Sequence, residues 1–151
     1  MWFSAGARIA QGDLARDARD WAGAVKFYSA ALRRRPTLAP IWVQLGHALI
    51  ELGELAPALA AYRRADLLRP DNADTLHQVA RMLRAMDETS QALEVYERVM
   101  ALAPSLIAAK REAVMLRVDT HPRPTAPGLP LRLAAIVLGT VGGRCSASCL
   151  H

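Results

Sequence analysis

The residues with the clearest chemical potential are two cysteines near the C-terminus. Cys145 and Cys149 are four residues apart, on a segment that begins with Gly142 and Gly143. Cysteine thiolates are the usual ligands of iron–sulfur clusters, and two of them form only an incomplete site. No cysteine lies elsewhere in the chain, so we expect no disulfide between helices and a reducing compartment.

Two histidines, His47 and His77, are the other candidates for chemistry in the first 118 residues. Neither has a Cys, Asp or His at metal-ligand spacing, which favours a surface role over a metal site. The same region has no Ser/His/Asp or Cys/His arrangement and no paired carboxylates in an apolar setting. We therefore expect residues 1–118 to bind rather than to catalyse.

A repeat of 34 residues organises the part of the chain that carries these histidines. Its members are tyrosines, alanines, prolines and small residues, each 34 positions from the next: Tyr28, Tyr62 and Tyr96; Ala24, Ala58 and Ala92; Pro36, Pro70 and Pro104; Gly12, Gly46 and Ala80. A fixed period of this length is typical of stacked helix–turn–helix units.

The middle unit shows most clearly how the repeat folds. One apolar stripe at helical spacing is formed by Trp42, Leu45, Gly46 and Leu49, and a second by Ala58, Tyr62 and Ala65. Gly53 is expected to end the first helix in a left-handed conformation. Pro57 suits the first turn of the second helix, where its missing N–H is harmless. Gly46 and Ala58 are small, so the two helices can approach closely beside the Tyr62 ring.

These residues resemble the tetratricopeptide repeat (TPR). The resemblance implies an all-α, right-handed solenoid of three helix hairpins over residues 5–38, 39–72 and 73–106. The first unit has Arg8 and Gln11 at apolar positions, as expected of a terminal repeat with one face in water. The residue after each terminal proline, Thr37, Asp71 or Ser105, is predicted to be a helix N-cap.

A capping helix is predicted over residues 105–118, which completes a solenoid domain over residues 1–118. The residues expected to pack against the last hairpin are Leu106, Ile107, Ala109, Ala113 and Leu116. Those expected to face water are Lys110, Arg111, Glu112 and Arg117.

The family resemblance also implies a groove lined by the first helix of each hairpin, where a peptide or partner protein binds. The groove residues it implies are Asp13, Arg16, Gln44, His47, His77, Gln78, Arg81 and Arg84, beside Ile9, Val43 and Glu51. Arg81 and Arg84 lie one helical turn apart, so both can reach an acidic ligand. Family members that grip a chaperone's terminal carboxylate use lysine and asparagine. Ile9, Val43 and His77 replace the lysine, and Asp13, His47 and Arg81 replace asparagine, so such a clamp is not expected.

The composition changes after residue 118. Residues 119–130 are rich in proline and are predicted to be an extended linker, and residues 131–140 read as a lone apolar strand. Residues 131–151 resemble the start of a radical S-adenosylmethionine (radical SAM) domain, whose CxxxCxxC loop holds a [4Fe–4S] cluster. That resemblance implies cluster ligands at Cys145 and Cys149 in a longer parent enzyme, with S-adenosylmethionine as cofactor. The alternatives are another truncated domain or an unrelated tail; without the missing part we expect no cofactor.

The distribution of charge and of apolar residues argues against nucleic acid and membranes as partners. The formal net charge is +5, but the arginines alternate with Asp and Glu instead of clustering as on a nucleic-acid surface. No apolar run approaches the ~20 residues that span a bilayer, and the N-terminus lacks the features of a secretory signal. We therefore predict a cytoplasmic scaffold with a protein or peptide partner, and with neither nucleic acid nor membrane.

Overall fold

Seven helices account for residues 4–120, which are the residues that the computed structural model describes. They are α1 (Ala5–Asp17), α2 (Trp21–Arg34), α3 (Ala39–Glu51), α4 (Leu55–Leu68), α5 (Ala73–Ala85), α6 (Thr89–Leu102) and α7 (Ile107–Thr120). Each helix packs mainly against its neighbours in the chain, giving three stacked hairpins followed by α7. The predicted all-α solenoid is confirmed. No helix in this part of the chain is long and apolar enough to cross a membrane.

The turn inside each hairpin uses one residue in the left-handed region. These residues are Arg19 (φ 58°), Gly53 (φ 78°) and Asp87 (φ 61°), each one repeat from the next. In the second hairpin the N–H of Glu54 donates to the carbonyl of Leu49 at 2.9 Å, the long bond of a Schellman ending. The helix ending predicted at Gly53 is confirmed. In the other two hairpins Arg19 and Asp87 adopt the same left-handed backbone conformation, which is strained for a residue other than glycine.

The core of each hairpin is a tyrosine ring placed against a small residue. Tyr28, Tyr62 and Tyr96 are fully buried. A Cβ added to Gly46 would lie 2.8 Å from Cζ of Tyr62, and one added to Gly12 would lie 2.6 Å from Cε1 of Tyr28. The glycines are therefore required by the close approach of the ring, as the sequence predicted.

The helices that open the second and third hairpins begin one residue later than predicted. Leu38 is the N-cap of α3, and Asn72 is the N-cap of α5, where its Oδ1 accepts a hydrogen bond from the N–H of Thr75 at 2.9 Å. The N-caps predicted at Thr37 and Asp71 are wrong. Asp71 adopts φ 63°, whereas an N-cap residue is extended.

Helix α7 also differs from its prediction. It runs over Ile107–Thr120 instead of 105–118. Ala109, Ala113 and Leu116 are buried as predicted, but Ile107 is 68% exposed and Glu112 is turned towards α5 and α6. Ile107 is exposed because α7 packs against the third hairpin through the side that carries Ala113, and Ile107 lies on the opposite side.

Candidate functional site

A groove of about 290 Å³ runs between the first helices of the second and third hairpins. Four of the predicted groove residues, Val43, Gln44, His47 and Gln78, line it. The remaining lining residues are Ala39, Pro40, Ala65, Arg69, Asn72, Asp74 and Thr75. The apolar members come mainly from α3, and the polar members come from the start of α5 and from Gln44 and His47 of α3.

Two glutamines occupy equivalent positions in this groove, and the oxygen of each is held by an arginine: Arg16 of the first hairpin for Gln44 and Arg81 of the same helix for Gln78. The guanidinium of Arg16 donates from Nη1 to Oε1 of Gln44 at 3.2 Å, and that of Arg81 donates to Oε1 of Gln78 at 3.1 Å. Because an arginine holds each amide oxygen, each glutamine retains its amide N–H groups as donors. The groove therefore presents two side-chain amide donors one hairpin apart.

His47 links the groove to the core of the second hairpin. Its Nδ1 lies 3.0 Å from the Tyr62 hydroxyl, and the two rings are 5.6 Å apart in an edge-on arrangement. Burial lowers the pKa of His47 and the nearby Arg81 lowers it further, while Glu51 acts in the opposite direction. Burial likewise raises the pKa of the Tyr62 hydroxyl. Both groups are thus favoured in their neutral forms.

Asp13 occupies in the first hairpin the position that His47 occupies in the second. It accepts a hydrogen bond from the Tyr28 hydroxyl at 2.8 Å and forms an ion pair with Arg16 at 3.3 Å. Burial, followed by this bond to Asp13, raises the pKa of Tyr28 to about 12. Asp13 and Arg16 thus have internal partners, and the bond from Arg16 to Gln44 joins the first hairpin to the second.

In the third hairpin Arg81 stands at the position of Asp13 and His47, and the partner of the tyrosine hydroxyl is instead Glu112 of α7. The Tyr96 hydroxyl donates to Oε2 of Glu112, whose carboxylate also lies 3.8 Å from Nε2 of His77 and 4.0 Å from Nη1 of Arg84. Arg84 and Glu112 line a second groove, of about 320 Å³, between α5 and α7. Sequence reasoning placed Glu112 in water, although it lies 34 residues after Gln78 and that register would have located it.

Metal binding finds no support in the part of the chain that the structure describes. No group of three His, Cys, Asp or Glu side chains there could hold a metal ion. Cys145, Cys149 and the strand predicted over residues 131–140 lie outside the described residues. Their resemblance to an iron–sulfur loop stays a prediction.

Comparison with known proteins agrees with this architecture. Two sequence profiles described as tetratricopeptide repeat match residues 9–83 and 75–106. The chain is 27% identical to human protein O-mannosyl-transferase TMTC3 over 97 residues, which is 64% of this chain and 11% of that protein. This chain therefore matches only a small part of that relative.

Solved structures share the fold at low sequence identity. The TPR domain of Arabidopsis OM64 superposes with a TM-score of 0.68 at 20% identity, covering 76% of this chain and 94% of that domain. The second TPR domain of human RPAP3, solved with the HSP70 peptide SGPTIEEVD, gives 0.68 at 15% identity, with 75% and 94% covered. The TPR2B domain of yeast Sti1, in complex with pHsp70, gives 0.62 at 24%, with 74% and 91% covered. Since the tyrosine-centred hairpins, the profiles and the fold all agree, residues 9–106 of this chain belong to the tetratricopeptide-repeat family.

Proposed function

We propose that the chain is a protein-interaction scaffold that binds an extended peptide segment of a partner protein in the groove between α3 and α5. The observation that carries the proposal is the pair of glutamines, Gln44 and Gln78, in this groove. An extended peptide has carbonyl groups that need donors, and each glutamine amide offers N–H donors while an arginine holds its oxygen.

The rest of the groove suits a peptide better than a small charged ligand. Ala39, Val43 and Ala65 form an apolar wall against which peptide side chains can be buried. Asp74 and Arg69 lie in the same groove with opposite charges, so the site favours neither an anion nor a cation strongly. Two of the structural relatives were solved as complexes with chaperone-derived ligands, which supports a peptide as the class of ligand.

The peptide class is expected to differ from the chaperone tails that the relatives bind. Val43, which lines the groove where a clamp has lysine, has no charge to attract a terminal carboxylate. We therefore expect the HSP70 peptide SGPTIEEVD, present in the human RPAP3 complex, to bind this chain no better than a scrambled peptide of the same composition.

A display experiment tests the groove directly. Peptides selected from a random library on the full chain are measured by calorimetry against the wild-type chain and against Gln44→Ala/Gln78→Ala. Loss of two hydrogen bonds, each contributing about 0.5–1.5 kcal/mol, should weaken binding by roughly 5- to 150-fold.

The matched control is Gln91→Ala. Like Gln44, Gln91 is held by an arginine of another hairpin, with Nη2 of Arg63 donating to its Oε1 at 3.3 Å, but it lies on α6, outside the groove. We expect Gln91→Ala to bind the selected peptides within about twofold of wild type. Equal affinity for all three proteins would show that the groove is not the binding site.

A further inference from the structure

Helix α7 occupies the position of a first helix in a fourth hairpin. Helices α1, α3, α5 and α7 begin at Ala5, Ala39, Ala73 and Ile107, each 34 residues after the one before. In the first three hairpins a second helix covers one side of the first. No such helix covers α7 within residues 4–120.

The uncovered side of α7 is apolar. Ile107, Val114 and Val118 are 68%, 57% and 55% exposed, and their i, i+7, i+11 spacing puts them on one stripe. The residues equivalent to Ile107 in the first two hairpins, Ala5 and Ala39, are buried, at 8% and 4% exposed. Ile107 and Val114 therefore lie on the side on which a second helix packs elsewhere in this fold.

The flanks of this stripe are basic. Lys110 and Arg111 are exposed and lie three and four residues after Ile107, so they border the stripe on either side. No carboxylate within residues 4–118 is within ion-pair distance of either of them. A helix that covers the stripe would gain from acidic residues along its own edges.

Val114 restricts the shape of that helix. It stands one repeat after Gly12, Gly46 and Ala80, the small residues that accommodate a tyrosine ring in the other hairpins. Ala80 is the largest residue at this position in the other hairpins, and a Cβ added at Gly46 would already lie 2.8 Å from the Tyr62 ring. The larger Val114 therefore disfavours a tyrosine and favours a small residue on the covering helix.

We propose that the exposed stripe of α7 is a docking surface for an amphipathic helix of a partner protein, with acidic edges and a small residue opposite Val114. Charge argues against the two other occupants. Residues 121–151 contain three arginines and neither Asp nor Glu, and a second copy of α7 would place Lys110 and Arg111 against the same residues.

The probe is a synthetic copy of residues 87–104, which include α6, with Tyr96→Ala. This peptide is acidic and has alanine at the tyrosine position. Its binding to the full chain is measured by fluorescence anisotropy at low salt. We expect it to bind at least tenfold more tightly than the same peptide with Glu94→Lys/Glu97→Lys, and more tightly than the peptide that keeps Tyr96.

Chain variants locate the site. Val114→Glu should abolish binding of the acidic peptide, while Leu67→Glu, at a residue on α4 that is 72% exposed, should leave the affinity within twofold. The proposal is overturned if Val114→Glu and Leu67→Glu bind the acidic peptide equally well, or if the acidic peptide and its Glu94→Lys/Glu97→Lys form bind the chain equally well.

Two further results would assign the surface to another occupant. A dimer in analytical ultracentrifugation that Val114→Glu converts to a monomer would mean a second copy of the chain. Much tighter peptide binding by the full chain with Ile136→Asp/Val137→Asp would mean that the chain's own C-terminal segment covers α7. Either result also overturns the proposal, and neither bears on the groove between α3 and α5.

Discussion

The close contact between Gly46 and Tyr62 predicts that the effect of Gly46→Ala on stability depends on whether the Tyr62 ring is present. In the wild-type chain an alanine Cβ at position 46 would lie 2.8 Å from Cζ of Tyr62, about 0.6 Å inside the 3.4 Å of ordinary contact. Because the ring is fully buried, it has little room to move, and overpacking costs about 1–3 kcal/mol. Alanine in a helix interior is favoured over glycine by about 1 kcal/mol, so Gly46→Ala should destabilise the wild-type chain by about 0–2 kcal/mol.

The same substitution should have the opposite sign when the ring is absent. Tyr62→Ala is expected to lower the free energy of unfolding by about 3–5 kcal/mol, as the truncation of a buried aromatic side chain. In that background the methyl group added at position 46 meets no ring, and Gly46→Ala should stabilise by about 1 kcal/mol. The coupling between the two positions is then about 1–3 kcal/mol.

Urea denaturation of the four proteins, followed by tryptophan fluorescence, measures each of these free-energy differences. Ala80→Gly is a control: Ala80 and Tyr96 belong to the same buried cluster in the third hairpin, so removing the methyl group of Ala80 should only destabilise. Equal effects of Gly46→Ala in both backgrounds would refute the packing argument. A loss below about 1 kcal/mol for Tyr62→Ala would refute the assigned register.

Three other predictions concern the polar groups. Burial and Arg81 lower the folded-state pKa of His47 below 6.5, so protonation favours the unfolded chain; stability should be lost as pH falls below about 6.5, and His47→Gln should lose less in urea melts from pH 7.5 to 5. Greater relative stability of the wild type at pH 5 would contradict this. Arg19→Gly should raise the melting temperature, because glycine relieves a left-handed residue by roughly 1 kcal/mol, and Asp87→Gly should raise it less because aspartate tolerates that region better; a fall with Arg19→Gly would contradict the strain. Tyr96→Phe removes a hydrogen bond to the Glu112 carboxylate, worth about 1.5–3 kcal/mol, and should speed amide exchange in α7 more than in α1. An equal acceleration in the two helices would show that Glu112 does not hold α7.

Much of the fold was predictable because the chain contains the same packing solution three times. Each tyrosine recurs with its alanine and its small partner, and a set of residues that repeats together leaves little freedom in the register. The helix starts were less predictable. The turn after each proline extends over two residues, so Asp71 takes a left-handed conformation and Asn72 becomes the cap.

The candidate site was predictable only in part. The family positions led to Gln44, His47 and Gln78, which do line one groove. They did not show that Asp13 would be engaged by Tyr28, since partners of a side chain depend on neighbouring helices. The side chains of α7 were misassigned because its own pattern does not show which side is covered, and only the 34-residue register relates Glu112 to Gln78.

The packing of each helix mainly against its neighbours in sequence has a consequence for how the chain folds. Loops of only a few residues join the helices, so the loss of chain entropy on bringing any two of them together is small. Helical proteins dominated by such local contacts fold in about microseconds to milliseconds. Because the contacts of each helix lie mainly with the helices next to it in the chain, the solenoid can grow by adding one hairpin at a time to those already stacked.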